Sequence, residues 1–320
     1  MWRYAAARAA AVTPLLLLIS VIVFGLIHAV PGGPVEMFLS NPNVRPEDVA
    51  RLEAALGLDR PLPVQYAAWL RGFVTGEWGY SITDGRPVLQ RVLERVPASA
   101  ELLGASLLVA LLVSLGIAVP AAARAGGWFD RGTTAAAVAG VSLPSFWFGL
   151  VLQLVFAVGL GWLPSAGRSS FGAASLGDRL EHLVLPATVL ALLHAASWSR
   201  YLRAAVLSAL AQPFVTSARA RGIPEYRVIA RHALRNAALP FVTVVLLDAA
   251  IVVSGAVVTE SVFAWPGLGS LFTESLARRD YPVLMAFLMA AAVGVVALNL
   301  LADVTYRVID PRVRTVSGEQ

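Results

Sequence analysis

The chain has 320 residues, 58% of them hydrophobic and 14% charged, with a mean hydropathy of +0.71. Soluble domains carry about a quarter charged residues, so this composition, with its repeated long apolar runs, excludes a soluble globular protein and points to the bilayer. The net charge of +5 comes from arginine alone, because the sequence holds no lysine, and it holds no cysteine either. That excludes disulfides and thiolate metal sites, and also a P-loop, whose lysine reaches the β- and γ-phosphates. Any ATP-driven step must therefore draw on another chain.

The first apolar run spans Ala9 to Val30 and follows Arg3 and Arg8. Arginine on the inner side predicts a transmembrane helix with a cytoplasmic N-terminus. A cleaved leader ending at IHA (27–29) is the competing reading, and the run is long for one. Residues 31–96 hold seven arginines against eight acids, a balance that suits the outer side. Short helices are predicted there from Pro46 to Gly57, Pro63 to Val74 and Pro87 to Val96, each opened by a proline. Together they form a small external helical cap.

The second span is predicted from Ala100 to Ala123, followed by a short inner link with Arg124 and Arg131. The third runs from Thr133 to Leu160 and is bent at Pro144, a defect that other helices of a bundle can compensate. WLPSAG (162–167) opens an external loop reaching about Asp178. The fourth span, His182 to Leu207, contains Pro186; the fifth is Ala237 to Val258; a loop from Thr259 to Pro282 follows; the sixth is Val283 to Thr305. Arg307, Arg312 and Arg314 keep the tail inside. The expected architecture is all-α and polytopic, with six transmembrane helices and both termini cytoplasmic. Its expected parts are 1–96 (first helix and cap), 97–306 (five helices) and 307–320 (tail).

Between the fourth and fifth spans, Trp198 to Pro240 carries seven arginines against one acid, Glu225. Pro213 can take the first turn of a helix, where its missing N–H is no loss. Gly222 can close that helix in a left-handed conformation, and Pro224 forbids its continuation. Pro213 to Arg221 is thus predicted as a separate helix about 13 Å long, with a small-residue side formed by Ser217, Ala218, Ala220 and Gly222. A second helix opens at Pro224, with Arg227, Arg231 and Arg235 along one stripe and Val228, Ala233 and Leu234 opposite. Two readings fit the arginines. They anchor the loop at anionic headgroups, at about 1 kcal/mol each, or the short helix enters a groove on a soluble partner. Nucleic-acid binding is not expected, because the flanking spans hold the loop at a membrane.

The chain resembles the inner-membrane permease subunit of the dipeptide/oligopeptide class of ABC importers. The resemblance covers nearly the whole sequence and rests on the order of TSARARG (216–222), RHALRNAALP (231–240), VPGGPVE (30–36), GLDRPL (57–62), LPSFW (143–147), VFAWPGLG (262–269), RDYP (279–282) and DPRVR (310–314). The general importer signature begins Glu-Ala-Ala where this chain has Thr216, Ser217 and Ala218, and often has proline where this chain has Arg235; the peptide class commonly lacks both features. The resemblance implies a type I importer fold in a prokaryotic cell membrane, paired with a second homologous permease, two cytoplasmic ATP-binding subunits and an extracytoplasmic substrate-binding protein. It implies that Pro213, Phe214, Ser217, Ala218, Arg219, Arg221 and Gly222 form the coupling helix against one ATPase. The cargo is then di- or oligopeptides, with nickel chelates or glutathione as alternatives of the same architecture. The chain itself is non-catalytic and is expected to use no cofactor and no metal.

Three further groups are candidates. Asp248 sits near the middle of the fifth span, where a charge must face protein or water; with His194 and Glu260 it is a candidate lining of the pathway, and a hydrogen bond to a neighbouring helix is the alternative. His194, Ser197 and Arg200 share one face of the fourth span. Phe263, Trp265, Pro266 and Gly267 are expected in the outer loop, either in substrate handover or in an interfacial aromatic belt. Two competing functions have weaker support. A proton-coupled carrier would use Asp248 and His194 but leaves the punctuated inner helix without a role. A serine hydrolase needs an activated serine, and no G-x-S-x-G elbow is present.

Overall fold

The computed structural model describes residues 2–29, 47, 57, 59–172 and 175–309. Apart from residues 47 and 57, the predicted cap helix from Pro46 to Gly57 lies outside them, as do Arg312 and Arg314 of the tail. The described residues contain no β-strand. Their helices are α1 (Trp2–Ala29), α2 (Leu62–Thr75), α3 (Val88–Ala123), α4 (Trp128–Ser142), α5 (Ser145–Leu152), α6 (Leu176–Leu210), α7 (Pro213–Ala220), α8 (Glu225–Arg227), α9 (Leu234–Val262), α10 (Leu268–Ala277) and α11 (Tyr281–Ile309). Two π-helical segments interrupt the series, Gln153–Gly159 after α5 and Val228–Ala233 between α8 and α9.

Among the described residues, Ala11–Ala29, Val88–Ala123, Leu176–Leu210 and Tyr281–Ala302 are each long and apolar enough to cross a membrane. The 29 residues of α9 cover the predicted fifth span and reach about 43 Å. The third predicted span departs from expectation. Instead of a kinked helix, α4 and α5 with its π extension meet at 104°. Leu143 (φ −86, ψ 131) and Pro144 (φ −61, ψ 131) are both extended. Proline drives the residue before it out of the helical region, so the chain turns sharply where a milder bend was predicted.

Two other expectations are corrected. The third cap helix (Pro87 to Val96) and the second span are one 36-residue helix, α3, continuous through Pro97; a proline removes one donor, and here the helix survives that loss. The loop from Thr259 to Pro282 is mostly helical, because α9 runs on to Val262 and α10 occupies 268–277. The spacing of Leu268, Leu271 and Phe272 (i, i+3, i+4) carries that signal in the sequence.

The fold divides into two compact units, residues 1–97 with 267–296 and residues 98–266 with 297–320. In the first, Val23, Phe24 and Met285 pack with Tyr66 and Trp69, so α2 is held against α1; Ser20 and Tyr66 share a 2.8 Å hydrogen bond there. The buried Asp280 carboxylate accepts from the Ser81 hydroxyl, from Arg91 Nη1 at 3.2 Å and from the Ile82 amide at 3.2 Å. In the second unit, α6 is the central element. Its buried Trp198, Leu202, Val206 and Ala209 meet Ala233, Ala237 and Phe241 on one side and Ala110, Ala118 and Ala122 of α3 on the other. Alanines at these contacts let the helices approach closely, which is how packing holds helices together within lipid.

Candidate functional site

The basic stretch folds by local rules. Gln212 is extended, Pro213 fills the first turn, and α7 ends at Ala220 with Arg221 as its cap. The Gly222 amide donates to Arg219 O at 2.9 Å and the Ile223 amide to Ala218 O at 3.3 Å. These are the two crossed bonds of a Schellman motif, and Ile223 packs beside Ala218 as that motif requires. Gly222 lies at φ +74, a conformation that costs an L side chain about 1–2 kcal/mol.

One side of α7 is turned inward. Val215 and Ala218 are buried with Val228, against Leu210 and Ile223. Ala218 therefore belongs to the chain's own packing and not to an open small-residue face. Pro213, Phe214, Thr216, Ser217, Arg219, Ala220, Arg221 and Gly222 are exposed. Arg219 pairs with Glu225 across the turn, with Nη2 2.5 Å from Oε1 and Nε 3.0 Å from Oε2. That hydrogen bond holds the Glu225 carboxyl below the usual carboxylate range.

The predicted second helix is not a regular α-helix. After α8 the chain winds as a π-helix over Val228–Ala233 before α9 begins. Arg227, Arg231 and Arg235 are exposed while Val228 and Ala233 are buried, the partition expected, although the winding between them is π-helical. The buried positions through this segment are Val228, Ile229, Ala233 and Ala237.

Along α6, the Trp198 indole N–H donates to Asp248 Oδ2 at 2.7 Å. Trp198 is fully buried, its ring 5.8 Å from that of His194 and 6.3 Å from Phe241. Asp248 and His194 are both half-buried. Asp248 thus carries the interhelical hydrogen bond that the sequence left as an alternative. Such bonds contribute on average about 0.6 kcal/mol within membranes. Sequence reasoning missed Asp130, which is buried at the start of α4 and grips Arg203 through both oxygens, while the Gly126 amide donates to it at 2.8 Å. It also missed Arg168, whose Nε donates to Glu101 at 2.8 Å. No local spacing announces pairs 73 and 67 residues apart.

Glu260 and the aromatics of the third group pack within the chain. Glu260 is buried and accepts from the Ser99 hydroxyl at 2.5 Å. Phe263 and Trp265 are buried. Trp265 packs with Leu102, Leu183, Leu190 and Ala256 and donates to Ala98 O at 2.8 Å. Phe263 packs with Leu185 and Val189, and a Cβ at Gly149 would stand only 3.2 Å from its ring. Pro266 is half-buried and Gly267 buried.

The model of the binding-protein-dependent transport system inner membrane component matches residues 114–315, and the N-terminal model of such membrane components matches residues 1–103. The chain is 40% identical over 302 residues to the oligopeptide transport system permease protein AppB of Bacillus subtilis (strain 168), covering 94% of this chain and 95% of that one. It is 35% identical over 333 residues to the di/tripeptide transport system permease protein DppB of Pseudomonas aeruginosa (strain UCBPP-PA14), covering 98% and 99%. In fold it is similar to a chain of the inward-facing MetNI methionine ABC transporter, with a TM-score of 0.58 at 16% identity over 70% of this chain and 98% of that one.

Proposed function

The chain belongs to the binding-protein-dependent transport system inner membrane component family, and on that premise we propose that it is the permease subunit of a peptide-importing ABC transporter. With a second homologous permease it encloses the pathway for di- or oligopeptides. Two cytoplasmic ATP-binding subunits supply the energy, and an external binding protein delivers the cargo. The peptide names of the relatives favour this cargo over nickel chelates or glutathione. Both termini are cytoplasmic in this reading, in line with the arginines at Arg3, Arg8 and Arg307.

The observation that carries the proposal is α7, a helix of eight residues closed at both ends, docked by Val215 and Ala218 and presenting the rest of its surface. An ATPase groove receives that surface at Pro213, Phe214, Ser217, Arg219 and Arg221. Closure of the ATPases moves α7. Because Val215 and Ala218 pack against Leu210 and Val228, the movement passes to α6 and, through the π segment, to α9. The pathway then switches from inward-open to outward-open, with Asp248 and His194 on its wall. Buried Phe263 and Trp265 act by fixing the end of α9, not by touching cargo.

The test is Gly222→Val in the assembled complex with its binding protein. A β-branched residue resists φ +74, while no atom lies within 4 Å of the added Cβ, so the damage falls on the turn alone. ATP hydrolysis is expected to persist while peptide uptake collapses. Normal uptake by this variant would sink the assignment of α7.

A further inference from the structure

In a helix that faces lipid, the exposed side chains are apolar. Exposed positions of α1 are Leu15, Leu17, Leu18, Val21, Ile22 and Leu26, and those of α3 include Leu108 and Leu112. The C-terminal half of α6 has the reverse polarity. Its buried face is Trp198, Leu202, Val206 and Ala209, whereas Ser197, Arg200, Tyr201, Ala204 and Ser208 are exposed. These fall at i, i+3, i+4, i+7 and i+11, a single face, and Gln212 extends it beyond the helix end. From His194 to Gln212 the face runs about 27 Å. No large aliphatic side chain lies on it.

Two open grooves follow this face. One is lined by Thr134 of α4 with Ser197, Arg200, Tyr201 and Arg203. The other includes Tyr201, Ser208, Gln212, Asn236 and Pro240. They share Tyr201, so the hydrogen-bonding surface is continuous. Of its two arginines, Arg203 is neutralised by Asp130, while Arg200 has no ion-pair partner among the described residues. A single anionic lipid headgroup at the helix end would account for one arginine. It would not account for serine, tyrosine, glutamine, threonine and asparagine spread along the whole length.

We propose that this face of α6 is the wetted wall of the half of the pathway next to α7, and that Arg200 is the group on it that meets the terminal carboxylate of a passing peptide. A guanidinium presents parallel N–H donors that match a carboxylate bidentately, and Arg200 is the exposed, uncommitted one. The inference rests on the importer reading above and adds a substrate-contact residue to it.

The test has two arms in the assembled importer. Since the chain has no cysteine, Ser197→Cys, Ser208→Cys and the lipid-face control Leu112→Cys each place one thiol in this subunit. A charged, membrane-impermeant methanethiosulfonate is expected to modify Ser197→Cys and Ser208→Cys and to leave Leu112→Cys unmodified. Resistance of both serine-site thiols in every nucleotide state would show the face covered by the second permease and overturn the proposal. In the second arm, Arg200→Gln is expected to lower uptake of trialanine by about tenfold while sparing trialanine amide, with Arg200→Lys partly restoring the preference. The binding protein is common to all variants, so a change in the ratio of the two uptakes reports on the permease. Equal loss of both peptides, or no loss, would overturn the role of Arg200. If the wild-type complex takes up neither peptide, the peptide reading and the role of Arg200 fall together, and the thiol pattern still decides whether the face is wet.

Discussion

Two segments of this chain have similar punctuation and opposite fates. Pro213–Gly222 and Phe263–Pro266 both follow a long helix, both contain proline, and both hold aromatic residues. In the first, Phe214 remains 37% exposed and only Val215 and Ala218 turn inward. In the second, Phe263 and Trp265 are at most 2% exposed. The first segment satisfies its own backbone: proline removes a donor that needs no partner, and Gly222 and Ile223 return their amides to the last turn. Its ends are therefore set locally, Val215 and Ala218 dock it, and the rest of its surface stays available. The second segment carries a non-glycine residue, Ala264, at φ 46. Such strain, of about 1–3 kcal/mol, persists only where the surroundings over-determine it, and here the buried aromatics on either side do so. Most of α7 is left free, whereas the segment after α9 is held by its buried aromatics.

The comparison breaks most visibly at Trp265. Truncation to alanine removes a fully buried side chain and leaves Ala98 O without its donor, a cost of about 3–5 kcal/mol. Trp265→Ala is expected to lower the thermal midpoint of the purified complex sharply, and Trp265→Phe to lower it less. A midpoint unchanged by the alanine variant would mean that the segment is not held as described. Gly222→Val comes next. It adds about 1–2 kcal/mol of backbone strain, a smaller loss of stability, and its main readout is uptake against ATP hydrolysis. The two variants therefore separate a fault in folding from a fault in coupling.

That separation also marks what could be read from sequence. The bounds of α7 were legible because proline at the first turn, glycine past the last and Pro224 beyond it act within a few residues. The helical spans were legible from apolar length. The fate of Phe263 and Trp265 was not, because it depends on Leu102, Leu183 and Leu185, which are remote in the chain. The same holds for Arg203, grouped by sequence with the loop arginines and in fact bound to Asp130, 73 residues away. The π-helix at Val228–Ala233 has no local signature in the sequence. Pro97 misled in the other direction, since a proline that ends most helices is simply carried through α3.

Phe214→Ala sharpens the comparison from the other side. Phe214 keeps 37% of its surface exposed, so its truncation should lower the thermal midpoint clearly less than Trp265→Ala does. Peptide uptake should nevertheless fall, because the proposed ATPase contact includes this ring. A large loss of stability with normal coupling would place Phe214 with Trp265, as a packed residue.

The smallest effect is expected at Glu225. Its carboxyl is held below the usual range by the hydrogen bond from Arg219. Being depressed, that group contributes stability present above the unfolded-state value of 4.5 and lost as pH falls through the lower folded value. The pair should therefore add no pH dependence between pH 6 and pH 8, and wild type and Glu225→Gln should follow the same profile there. The pair is also about half exposed, at 47% and 54%, so solvent and salt screen it. Glu225→Gln should be nearly indistinguishable from wild type at neutral pH, because the Schellman bonds at Gly222 and Ile223 and the packing of Ala218 already set the turn. A coupling defect in Glu225→Gln comparable to that of Gly222→Val would reverse this ranking and make the ion pair, not the backbone, the device that orients α7.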